Sequence, residues 1–147
     1  MAESYFNRLV EQGGLEELMG AESAGTWAFD GASAAELSRQ VCAENGLDVS
    51  RHRSQSIDLH LMKSADLVLC MAQEHKNDLA RVFPHLREKI FTLKEFQQRI
   101  SVELASIADP YGKSIEQYRE TFGIIAREIR RIFPLVRQQA QAKRGEV

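Results

Sequence analysis

Leu67-Val68-Leu69-Cys70-Met71 is an unbroken apolar run, and its reading decides the fold. A strand with one wet face alternates apolar and polar residues. A strand covered on both faces, as in a parallel sheet, reads as a continuous apolar stretch. The run is followed by Ala72 to Val82, which has a helical pattern closed by Pro84. Ile90-Phe91-Thr92-Leu93 then reads as a second short buried strand. Strand, helix and strand in that order describe a βαβ unit, and so an α/β protein with a parallel sheet.

The pattern extends in both directions. Ala2, Phe6, Leu9 and Val10 recur at helical spacing, and Gly13-Gly14 ends that helix. Leu18 to Ala24 is a strand candidate, and Gly25 to Ser33 a loop carrying Trp27 and Phe29. Ala34 to Asn45 reads as a helix with Leu37 and Val41 on one face and Gly46 behind it. A further helix is expected from about Glu95 to Ser106. Ser114 and Gln117 fit a capping box, opening a helix whose stripe is Ile115, Tyr118, Phe122, Ile125, Ile129 and Phe133. Pro134 is expected to kink or end it, leaving Gln138 to Val147 as a frayed polar tail.

Composition narrows the function. A chain of 147 residues, 44% hydrophobic and 27% charged, is enough for a single domain, 1–147, with one core. A formal net charge of −2 carries no basic excess for nucleic acid, and Arg51-His52-Arg53 reads as a solvated loop. No run approaches the roughly 18 apolar residues of a membrane span. Glu3 and Arg8 fall where a signal peptide needs an apolar stretch. Cys42 and Cys70 form no disulfide framework or zinc spacing, so reduced thiols in a cytoplasmic protein are expected. His60, His75 and His85 match no metal-ligand spacing and read as surface residues. No metal or cofactor is expected.

Asp109-Pro110-Tyr111-Gly112 by itself is a turn, Asp first and Gly fourth as in type I turns. Its company gives it more meaning. Met1-Ala2-Glu3, Ser23-Ala24-Gly25-Thr26, Gly46-Leu47-Asp48 with Ser50 and His52-Arg53, Ala65-Asp66 before the apolar run, and Asp109-Pro110-Tyr111-Gly112 before a long helix occur in that order. Together they resemble the low molecular weight protein tyrosine phosphatase family, over about Met1 to Phe133. The resemblance implies a three-layer αβα fold of flavodoxin-like topology with a short parallel sheet. It implies hydrolysis of phosphomonoesters through a phosphocysteine, with phosphorylated proteins as partners (phosphotyrosine, or phosphoarginine as in similar bacterial proteins).

Residue by residue, the resemblance makes Asp109 the general acid and base. Tyr111 and Trp27 match walls of the substrate pocket. Ser23 and His52 match positions that hydrogen-bond toward the phosphate loop. The family's Cys-x5-Arg-Ser-Pro loop, with nucleophile and phosphate-clamping arginine, has no counterpart. Residue 48, six beyond Cys42, is Asp, and residue 76, six beyond Cys70, is Lys. The first central strand has none either, and the expectation is an inactive chain read from a methionine just downstream of the loop. The alternative is a non-catalytic pseudophosphatase, a binding or regulatory module whose partner fills the strand position by β-augmentation. Arsenate reduction, another chemistry of similar proteins, needs a cysteine pair, and Glu74 to Phe83 contains no cysteine.

Overall fold

The computed structural model describes residues 1–25 and 35–145. In chain order the elements are α1 (Ala2–Gln12), α2 (Glu36–Glu44), α3 (Leu59–Ser64), β1 (Val68–Cys70), α4 (Gln73–Val82), a 3-10 turn (Pro84–Lys89), β2 (Ile90–Thr92), a second 3-10 turn (Val102–Leu104) and α5 (Ile115–Lys143). The decisive run forms the expected unit. β1 and β2 pair in parallel, Val68 opposite Ile90 and Cys70 opposite Thr92, with α4 crossing between them.

Alternation along the strands assigns their faces. Cys70 and Ile90 pack with Met62 and Leu79 in one cluster, joined by Val68. Leu69 and Phe91 lean the other way, onto a cluster of Phe6, Val10, Ile125, Ile129 and Ile132 from α1 and α5. Helices therefore cover both faces of the two-stranded sheet. A third cluster joins α2 to the first half of α5 through Val41, Cys42, Tyr118, Phe122 and Ala126. No described helix is long and apolar enough to cross a membrane.

Three sequence expectations need correction. Leu18–Ala24 is not a strand; among the described residues the only ladder contact nearby is an isolated parallel bridge, Gly25 to Ser56. The reason lies in α1. The Asn7 amide takes both backbone groups of Ala21, donating to its carbonyl at 2.9 Å and accepting its N–H at 2.8 Å. Ser23 then donates to Glu3 Oε2 at 2.7 Å. Four residues of helix rise about 6 Å, and two of extended chain about 6.6 Å. Glu3 and Asn7 thus match Ser23 and Ala21 in register, and helix side chains take the place of a neighbouring strand.

Glu95 to Ser106 is not a helix either. The Thr92 hydroxyl accepts the Glu95 N–H at 3.1 Å, and Gln97 adopts a left-handed φ of 57°. The Arg131 guanidinium binds the carbonyls of Leu93 and Phe96 at 2.9 and 2.7 Å. Those groups are then unavailable for i→i−4 bonds.

Pro134 does not end α5, which runs on to Lys143. The exposed proline gives up one backbone bond, while Phe133, Leu135 and Val136 continue the contact with the core. The expected tail is helical as far as Lys143, whose ammonium meets the Asp66 carboxylate. The sequence also hid α3, capped by Asp58, whose Oδ1 accepts the Leu61 N–H at 2.7 Å.

Candidate active site

Asp109 stands in a loop tied to the C-terminal end of β1. The Ile107 N–H donates to the Met71 carbonyl at 2.7 Å, and the Gln73 N–H to Ser106 Oγ at 2.9 Å. The loop buries Ala105, Ile107 and Pro110 and leaves Asp109 and Tyr111 exposed. Its hydrogen-bonded turn begins one residue later than the sequence suggested. The Lys113 N–H reaches the Pro110 carbonyl at 2.9 Å, with Gly112 at φ 79° in the third position. Type II turns reserve that place for glycine. Asp109 sits before this turn and accepts the Tyr111 N–H through Oδ1 at 3.0 Å. The Ser114 hydroxyl accepts the Gln117 N–H at 3.3 Å and opens α5 just behind.

Asp109, Tyr111 and His52 line one cavity of about 290 Å³. The same cavity is lined by Met1 and Ser4 at the first turn of α1, by Ser38 of α2 and by Tyr118 of α5. First-turn amides have no partners within their own helix and favour negative charge. The cavity brings the first turn of α1 and Asp109 to one space, a pairing suited to an anionic group that must also receive a proton.

Ser23 does not line this cavity. It is joined to it through Glu3, whose Oε2 accepts from the Ser23 hydroxyl and lies 3.2 Å from His52 Nδ1. Gln55 Nε2 donates to the Ser23 carbonyl at 3.0 Å from the other side. Trp27 lies outside the described residues. Sequence reasoning gave Glu3, Ser38 and Tyr118 no role. For Glu3, the signal was its place four residues before Asn7 on one helix face. Tyr118 stood in the apolar stripe of α5 and read as core.

Both cysteines are buried. Burial pushes the Cys42 thiol up against the pull of the N-terminal ammonium. It pushes Cys70 up to about 11, with Lys76 opposing and Glu95 adding. Among the described residues, no group of three or more His, Cys, Asp and Glu could hold a metal ion.

A model of the low molecular weight phosphotyrosine protein phosphatase family matches residues 1–143. The chain is 35% identical over 121 residues to a protein-arginine-phosphatase of Bacillus subtilis (strain 168), covering 82% of this chain and 77% of that protein. It is 32% identical over 115 residues to EpsP of Ralstonia nicotianae, described as a probable low molecular weight protein-tyrosine-phosphatase, with 78% and 75% covered. Among solved structures, a YwlE mutant from Bacillus subtilis superimposes with a TM-score of 0.82 at 31% identity, over 92% of this chain and 87% of that one. A low molecular weight protein tyrosine phosphatase from T. tengcongensis gives 0.82 at 35% identity, over 90% and 87%. The chain belongs to the low molecular weight phosphotyrosine protein phosphatase family.

Proposed function

We propose that this protein contributes the acid–base half of a phosphatase for phosphorylated protein side chains, with Asp109 as general acid and base. The observation that carries this is the meeting of Asp109, Tyr111 and His52 on one cavity against the first turn of α1. In the family reaction a thiolate forms an S–P bond as the bond from phosphorus to the leaving atom breaks, and Asp109 protonates that atom. Asp109 then takes a proton from the water that displaces sulfur. Tyr111 at 76% exposure flanks the entering side chain. Ser23 and His52, joined by Glu3, brace the segments behind the anion.

The nucleophile and arginine are not in Met1–Val147. A buried thiol raised to about 11 is a poor nucleophile at neutral pH, so these residues alone do not turn over. A two-stranded parallel sheet with helices on both faces supports reading the fold as three-layer and flavodoxin-like. Phosphotyrosine and phosphoarginine are the substrate classes that the relatives' names supply.

Incubated alone with p-nitrophenyl phosphate, the 147-residue chain should show no thiol-dependent hydrolysis. Activity that disappears in Cys70→Ser would overturn the structural role of Cys70. With a relative's first strand and Cys-x5-Arg loop joined ahead of Met1, hydrolysis should appear. There Asp109→Asn should lower turnover about 10²–10⁴-fold. An unchanged rate on an ester with a poor leaving group removes Asp109 from the mechanism.

A further inference from the structure

α4 begins without a cap of its own. Its N-cap residue is Ala72, which makes no side-chain cap bond, and the amides of a first helical turn have no partner inside their helix. The Gln73 N–H finds one in Ser106 Oγ at 2.9 Å, 33 residues along the chain. Serine is among the preferred capping residues. This one stands three residues before Asp109. Beside it, the Ile107 N–H donates to the Met71 carbonyl at 2.7 Å. The two bonds moor the loop to the end of β1 and the start of α4, with only Ala108 between the mooring and the acid. The mooring point is itself fixed. Lys76, one turn into α4, is ion-paired with Glu95, and the Leu93 N–H donates to the Cys70 carbonyl at 2.9 Å. Burial of Ala105 and Ile107 also draws the loop to the core, but that attraction is non-directional, and the hydrogen bonds supply the register. The bond from the Tyr111 N–H to Asp109 Oδ1 travels with the loop and cannot place it.

We propose that Ser106 is a positioning residue for Asp109: by capping α4 from the acid loop, its hydroxyl holds that loop where the carboxyl group reaches the leaving atom. A proton transfer needs the acid within about 3 Å of the atom it serves. A loop left on the Ile107 bond alone spends less of its time in range. The proposal rests on the phosphatase reading of Asp109 and goes past it by naming what aims the acid.

Two measurements test it. In the 147-residue chain, amide hydrogen exchange is compared between wild type, Ser106→Ala and Ser106→Thr. Ser106→Ala should speed exchange at Gln73, Ile107 and Tyr111 about three- to tenfold, the worth of one hydrogen bond, with the middle of α5 unchanged. Ser106→Thr keeps the hydroxyl and should behave as wild type. Faster exchange at Gln73 alone makes the bond a helix cap and nothing more, which overturns the proposal. Faster exchange everywhere assigns the serine to global stability and overturns it too.

In the chain joined to a relative's first strand and Cys-x5-Arg loop, kcat/KM is measured on phenyl phosphate and on dinitrophenyl phosphate. A poor leaving group needs the acid far more than a good one. Ser106→Ala should lower phenyl phosphate hydrolysis about three- to tenfold and dinitrophenyl phosphate hydrolysis much less, and Ser106→Thr should restore the rate. In an Asp109→Asn background, Ser106→Ala should cost nothing further, because the two act as one unit. Equal loss on both esters, or a full extra loss on top of Asp109→Asn, overturns the proposal. If Asp109→Asn itself shows no contrast between the esters, the phosphatase reading fails and the proposal falls with it. A contrast for Asp109→Asn with none for Ser106→Ala sinks the proposal alone.

Discussion

Glu3 uses one oxygen for two partners, the Ser23 hydroxyl and the His52 ring. It binds α1 to two segments that no regular ladder holds, since Ala21 to Gly25 and the stretch around His52 lie outside helices and strands. Replacing it should leave a half-buried hydroxyl and imidazole without their acceptor. Glu3→Ala is expected to cost about 1–3 kcal/mol, read as a lower urea midpoint. A midpoint that does not move would show that the segments are held by packing alone. Asp109, Tyr111 and His52 were legible because each sits in a short motif with its own turn chemistry. Glu3 was not, because an acid in a first helical turn is already favoured by the helix dipole. Its second use depends on Ser23 and His52, which are distant in sequence.

Among elements, the junction of α1 and α2 turns on Gly46. Its φ is 74°, and a Cβ there would lie 2.8 Å from Arg8 Nη1. That guanidinium already donates to the carbonyls of Asn45 and Gly46, at 2.9 Å each. Gly46→Ala should cost about 1–2 kcal/mol from the left-handed backbone alone, more if Arg8 is displaced. An unchanged melting temperature would contradict this. Pro134 predicts the opposite sign. It is exposed within α5, so Pro134→Ala restores a backbone bond without opening a cavity. A gain of about 1–3 kcal/mol is expected in chemical denaturation, and a loss would mean that the ring itself packs. Helix starts and apolar runs were legible because their signals are local. The failures at 18–24, 95–106 and 134 share a cause: each is decided by contact with a distant segment, through Asn7, through Arg131, and through the core against which Leu135 and Val136 pack.

At the scale of the molecule, the layers on either face of β1 and β2 leave Cys70 at 7% exposure. Its thiol is raised from 9.0 to about 11. Because the folded value lies above the unfolded one, this stability is fully present below about pH 9 and lost as pH rises through 11. Cys42 and Tyr118, also raised, push the same way. Folding free energy should fall by on the order of 2 kcal/mol across that window. Cys70→Ala should be less stable at neutral pH but flatter from pH 9 to 11. An equally steep decline in the variant would move the cause to other groups. The α/β class followed from the apolar run, because a doubly covered strand has few other readings. The closure of α5 against Asp66 did not, because an exposed ion pair between distant residues leaves no pattern in sequence.

The two inaccessible thiols have a practical side. Alkylating and disulfide reagents attack exposed thiolates, and this chain presents neither cysteine in that form. A single cysteine placed at an exposed position such as Glu116 would be the one fast-reacting sulfur on the native molecule. Dyes or spin labels could then be attached beside the Asp109 loop with both natural cysteines left in place.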